Sequence, residues 1–85
     1  MMMHIEQINE PVKVRADFQG GRIRPLRFKR QGREHVVKTV NACWETREGR
    51  RTLHYFSVTI ESGDVCQLYF NNEELVWWLD SIMMS

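Results

Sequence analysis

From Val12 onward the chain alternates, with Val12, Val14, Ala16 and Phe18 on one side and Lys13, Arg15 and Asp17 on the other. That two-residue period predicts a half-buried strand. Gly20 and Gly21 follow as a turn able to take positive φ, and Ile23, Leu26 and Phe28 return along a second strand to complete a hairpin. Pro25 has no N–H to give a ladder, so it predicts an edge position or a bulge and explains the slip in alternation between Ile23 and Leu26. Gln31 and Gly32 make the next turn, and Val36, Val37, Thr39, Val40, Cys43 and Trp44 mark a third strand. Residues 45–51 are polar around Gly49 and read as a loop, before the aromatic and branched run 53–60 gives a fourth strand. Ser62 and Gly63 turn the chain into a fifth, and Phe56, Val58 and Ile60 with Cys66, Leu68 and Phe70 supply two core rows.

The last segment satisfies two patterns. Asn71 with Glu74 three residues on suits a helix cap, followed by a stripe of Leu75, Leu79, Ile82 and Met83. The strand reading places Leu75, Trp77 and Leu79 on one face and Val76 and Trp78 on the other, with residue types that favour sheets, and it is the one preferred. Residues 1–10 keep no sustained period and are expected to be loosely ordered, leaving 11–85 as a single β domain. The class is therefore all-β: a small antiparallel meander of about six strands, curled into a half-barrel or barrel so that one face is buried and few edges are exposed.

At 85 residues the chain has room for one modest core, and 42% hydrophobic with 27% charged residues fits a globular domain. A net charge of +1 conceals an asymmetry. Residues 13–38 hold nine basic residues against Asp17 and Glu34, a net of +7, whereas residues 52–85 have no Lys or Arg and five acids. Cys43 and Cys66 are too few for a disulfide framework and read as free thiols. With no charged leader and no apolar run near the length of a membrane span, the expected location is cytoplasmic, with no membrane partner.

The ordered pieces Phe28-Lys29-Arg30-Gln31-Gly32-Arg33, Val36-Val37, Trp44, Tyr55-Phe56-Ser57-Val58, Leu68-Tyr69-Phe70 and Trp77-Trp78-Leu79 resemble a small bacterial family of uncharacterised all-β domains. That family has a phenylalanine and Gly-Arg turn, a paired-aromatic strand and a tryptophan-bearing terminal strand. The resemblance spans about residues 11–82. It implies an all-β fold and carries no catalytic residue onto this chain.

The side chains announce no chemistry. His4, His35 and His54 are too scattered for a metal motif, and Gly20-Gly21 lacks the lysine and following helix of a phosphate loop. No catalytic residue, cofactor or small-molecule substrate is inferred, and the chain is expected to be no enzyme. Two binding surfaces are. One is protein interaction, with itself or another chain, anchored on Val76, Trp77 and Trp78, since consecutive strand residues point to opposite faces and one sheet face cannot bury both indoles. The alternative is weak, salt-sensitive nucleic-acid binding: Lys13, Arg15, Arg27 and Lys29 form a stripe on paired strands, with Arg22, Arg24, Arg30 and Arg33 around its turns. Trp44, Tyr55 and Tyr69 are the candidates for stacking on bases.

Overall fold

A computed structural model describes residues 4–84, all of them in strands or the turns between them. The six strands are β1 (His4–Gln19), β2 (Arg22–Arg30), β3 (Arg33–Glu48), β4 (Arg51–Ile60), β5 (Val65–Asn71) and β6 (Val76–Met84). Each pairs antiparallel with the next, and β1 also pairs with β6, so the meander closes into a ring. Closure depends on the length of β1. Its first half, His4 to Val12, lies along β6, and its second half, Lys13 to Gln19, lies along β2. Residues 4–10, expected from sequence to be loosely ordered, thus form the start of β1, while residues 1–3 lie outside the described residues.

The inward rows of β4, β5 and β6 make most of the core: Phe56, Val58, Ile60, Cys66, Leu68, Phe70, Trp77 and Leu79, with Phe28 reaching in from β2. Val12, Val14 and Ala16 of β1 pack against this group from the other wall and remain half-exposed. No helix occurs among the described residues, so none is long and apolar enough to cross a membrane.

Three local features depart from the sequence pattern. At the β1–β2 bulge, Arg15 faces Arg27 and Ala16 faces Pro25, so Leu26 is the residue left over. Pro25 takes the buried place and Leu26 is exposed, the reverse of the expected inward row through Leu26. The polar stretch expected as a loop is strand up to Glu48 and again from Arg51, with only Gly49 and Arg50 turning. It is polar because no strand covers its other side. Lastly, the cap signal at Asn71 is realised as a single turn: Asn71 Oδ1 accepts from the Glu73 and Glu74 amides at 3.0 and 3.2 Å, and its Nδ2 donates to Glu74 Oε1 at 3.2 Å. The Leu75 amide closes that turn on the Asn71 carbonyl at 2.8 Å, and Leu75 then takes φ 58°, which ends helical propagation and starts β6.

Beyond the Arg27–Val36 pair, β2 and β3 diverge. Residues 22–26 pair only with β1, and β3 from Val37 to Glu48 pairs only with β4. A cleft of about 840 Å³ opens between the two hairpins, bordered by Arg22, Arg24, Lys38, Cys43 and Trp44 with His54 and Phe56 behind.

Candidate nucleic-acid interface

The register of β1 on β2 decides where the basic residues meet. Lys13 lies opposite Lys29, and Arg15 lies opposite Arg27. Partners across an antiparallel ladder share a face, so the four cations form two successive like-charged pairs on the outer surface. A shallow depression of about 290 Å³ runs among them. Each such pair is destabilising on its own, and one acid relieves the cluster: Arg27 Nη1 donates to Glu34 Oε1 at 2.7 Å. That hydrogen bond, reinforced by the charges of Arg27, Arg15 and Lys29, holds the Glu34 carboxyl below its ordinary value. Glu34 is exposed, so the shift reports the sign of the local field and adds little to stability.

The other basic residues divide. Arg22 and Arg24 stand opposite Gln19 and Asp17 on the end of the β1–β2 hairpin, close to the Gly20–Gly21 turn. Arg33 is exposed beside the Gln31–Gly32 turn. Arg30 leaves the set, since it is half-buried and its Nε donates to Glu10 Oε2 at 3.4 Å.

On the outer face of the other wall, one aromatic ladder crosses four strands. Trp44 of β3, Tyr55 of β4, Tyr69 of β5 and Trp78 of β6 are successive cross-strand partners, and Trp78 faces Pro11 of β1. Trp44 and Tyr55 stack with centroids 5.4 Å apart and planes 3° apart, Tyr55 and Tyr69 lie at 5.0 Å and 34°, and Tyr69 and Trp78 at 6.1 Å and 7°. Burial first, then the charges of Asp80 and Glu48, raise the Tyr55 hydroxyl above its ordinary value. Burial also raises Tyr69, with Tyr55, Asp80 and Glu48 adding to it. Inner rings of the ladder cover one another's faces and Pro11 lies beside Trp78 at one end, which leaves Trp44, 42% exposed at the other end, as the most open member.

Of the three residues read as a protein interface, Trp77 turns inward and packs on Phe56 and Phe70 at 5.5 and 5.2 Å, Trp78 joins the outer ladder, and Val76 is half-buried. Sequence reasoning picks out the ladder's aromatics singly. Their continuity depends on register, which local alternation does not encode.

The thiols and imidazoles do not assemble into a reactive centre. Burial pushes the Cys66 thiol up to about 12, and the charges of Asp64 and Glu61 add to this. His35 Nδ1 lies 3.7 Å from Glu61 Oε1 and its ring packs on Phe28, while His54 Nδ1 lies 3.6 Å from Glu45 Oε1. No group of three metal-ligating side chains comes together among the described residues.

Compared with protein-family models, curated proteins and solved structures, the chain matches none. What stands of the family resemblance is a small all-β domain with aromatic residues clustered along its strands and tryptophans in the terminal one.

Proposed function

We propose that the chain is a non-enzymatic binding module whose β1–β2 face contacts the phosphodiester backbone of a nucleic acid. The observation that carries this reading is the pairing of Lys13 with Lys29 and of Arg15 with Arg27, successive pairs on one face of the ladder, a local cost to the fold that a polyanion would offset. Arg22 and Arg24 extend the positive surface to the hairpin end, where the cleft also presents Trp44. Cations that track a backbone beside an aromatic open to stacking are the parts from which sequence-tolerant single-strand binding is built.

Fluorescence anisotropy with short single- and double-stranded DNA and RNA, at low and near-physiological salt, tests the reading. Four phosphate contacts correspond to a log–log salt slope of about −3 to −4. Lys13→Glu with Arg15→Glu should reduce affinity across unrelated sequences and flatten that slope by about one for each cation replaced. No binding at low salt would overturn the assignment.

A protein partner is the second reading, and a different observation favours it. The edges of Tyr69 and Trp78 lie on the outer face beside Asp80, which accepts from Gln67 Nε2 at 2.9 Å, on a strand without Lys or Arg. Such an aromatic patch suits the centre of a protein interface.

A further inference from the structure

We infer that the cleft between β2 and β3 binds a small organic anion with an apolar body, a medium-chain carboxylate, whose chain enters the ring while its carboxylate stays at the mouth. Cross-strand partners share a face, so the ladders tell which side chains of the cleft point inward. Val40 is paired with Val58 and Cys43 with Phe56, both buried, so Val40 and Cys43 face the interior. Ile23 does the same from β2, where it packs against the core. Strand alternation then sends Arg22 and Arg24, on either side of Ile23, to the outer surface, and Lys38 is exposed on the opposite lip. The cleft is therefore apolar within and basic at its mouth.

The lips are poor seats for another strand. β3 shifts register between Val37 and Thr39 and again between Val40 and Ala42, and β2 carries Pro25 and the left-over Leu26. Neither offers the regular run of N–H and C=O groups that a ladder needs. Side chains decide the occupant instead, and charge selects its sign. None of Arg22, Arg24 and Lys38 forms an ion pair among the described residues, although Asp17 lies across the ladder from Arg24. Glu45 is the acid bordering the cleft, and its Oε1 lies 3.6 Å from His54 Nδ1. Within, no buried side-chain nitrogen or oxygen among the described residues lacks a hydrogen-bond partner, so the floor holds no polar group ready for a sugar or a base. The volume of about 840 Å³ falls within the roughly 300–1,000 Å³ of small-molecule sites. Cations at the mouth with hydrocarbon behind them match a carboxylate carried on an alkyl chain.

Cys43 reports occupancy, because it is exposed on the cleft wall while Cys66 is buried. Isothermal titration with decanoate below its micelle concentration should show saturable binding, and decanoate should slow alkylation of Cys43 by iodoacetamide in step with that binding. Decyltrimethylammonium, with the same chain and the opposite charge, and acetate, with the charge and no chain, should do neither. Arg22→Ala with Lys38→Ala should raise the Kd for decanoate about tenfold or more, since each change removes a charge-assisted contact. Both side chains are exposed, so the variant keeps the core. Lys13, Arg15, Arg27 and Lys29 do not border the cleft, so failure here leaves the nucleic-acid reading untouched. The inference is overturned by the absence of saturable binding, by equal binding of either control ligand, by an unchanged Kd in the double variant, or by binding that leaves Cys43 alkylation as fast as before.

Discussion

Lys13 and Lys29 face each other across the β1–β2 ladder, two rungs from the Arg15–Arg27 pair on the same face, and Glu34 beside them is taken up by Arg27. A cation kept for binding at a cost to the fold would improve the fold when changed to the opposite sign. Lys13→Glu should accordingly stabilise the folded state by about 0.2–1 kcal/mol while weakening nucleic-acid binding. Lys13 is the better choice than Lys29, since Lys29 also lies opposite Glu34 on β3 and reversing it would create a new like-charged pair. Urea unfolding and anisotropy on the same variant give the two signs. Loss of stability together with loss of binding would mean that the lysine serves the fold.

Adjacent tryptophans with opposite fates give a second test. Trp77 packs between Phe56 and Phe70 inside the ring, and Trp78 lies on Tyr69 outside it. Trp77→Ala should cost about 3–5 kcal/mol as a large core deletion. Trp78→Ala removes mainly a stacking interaction and should cost about 0.5–1.5 kcal/mol. Iodide should quench Trp44 and Trp78 emission and leave the Trp77 component, which the Trp77→Phe variant would identify.

The core thiol predicts an alkaline limit. The folded state holds the Cys66 proton up to about 12, whereas a free thiol releases it near 9. A pKa raised by folding contributes stability that is complete below the unfolded value and declines as pH rises toward the folded one. Denaturant midpoints should therefore be level through neutral pH and fall between about pH 9 and 12. Tyr55 and Tyr69, also raised by burial, add to the decline. Cys66→Ala should start from lower stability and show a shallower fall. At neutral pH a thiol reagent should titrate Cys43 in the folded protein and both cysteines only after denaturation.

The rows Val12-Val14-Ala16, Phe56-Val58-Ile60 and Cys66-Leu68-Phe70 are legible in the sequence because burial on one face writes a period of two into the chain. Where that period fails, a physical cause is visible. Asn9 takes φ 55° at the bulge between Gln7 and Glu10, which breaks the alternation and hides the start of β1. Residues 45–48 are strand without a wall opposite them, so they carry polar side chains on both faces and mimic a loop. The basic stripe is readable because a hairpin fixes the register of neighbours in sequence. The pairing of β1 with β6 is not, since it joins residues far apart along the chain, and the aromatic ladder is not, since it needs the registers of three successive hairpins at once, two of them shifted by bulges.

The Asn71 turn explains why the terminal segment carries the marks of a helix and the structure of a strand, and it supplies a further pair of variants with opposite signs. Asn71 is buried, and its side chain binds the Glu73 and Glu74 amides and the Glu74 carboxylate. Asn71→Ala leaves those amides without their acceptor and should cost about 0.5–2 kcal/mol, the range for losing a capping side chain. Leu75 ends the turn in the left-handed region at φ 58° and is 74% exposed, so its side chain contributes strain and almost no packing. Leu75→Gly should relieve that strain and stabilise the protein by about 1 kcal/mol. Thermal melts of the two variants should shift in opposite directions. If Leu75→Gly instead lowers the melting temperature, the exposed leucine is packed against a partner in solution, and repeating the melt across a concentration series would show the loss growing with concentration.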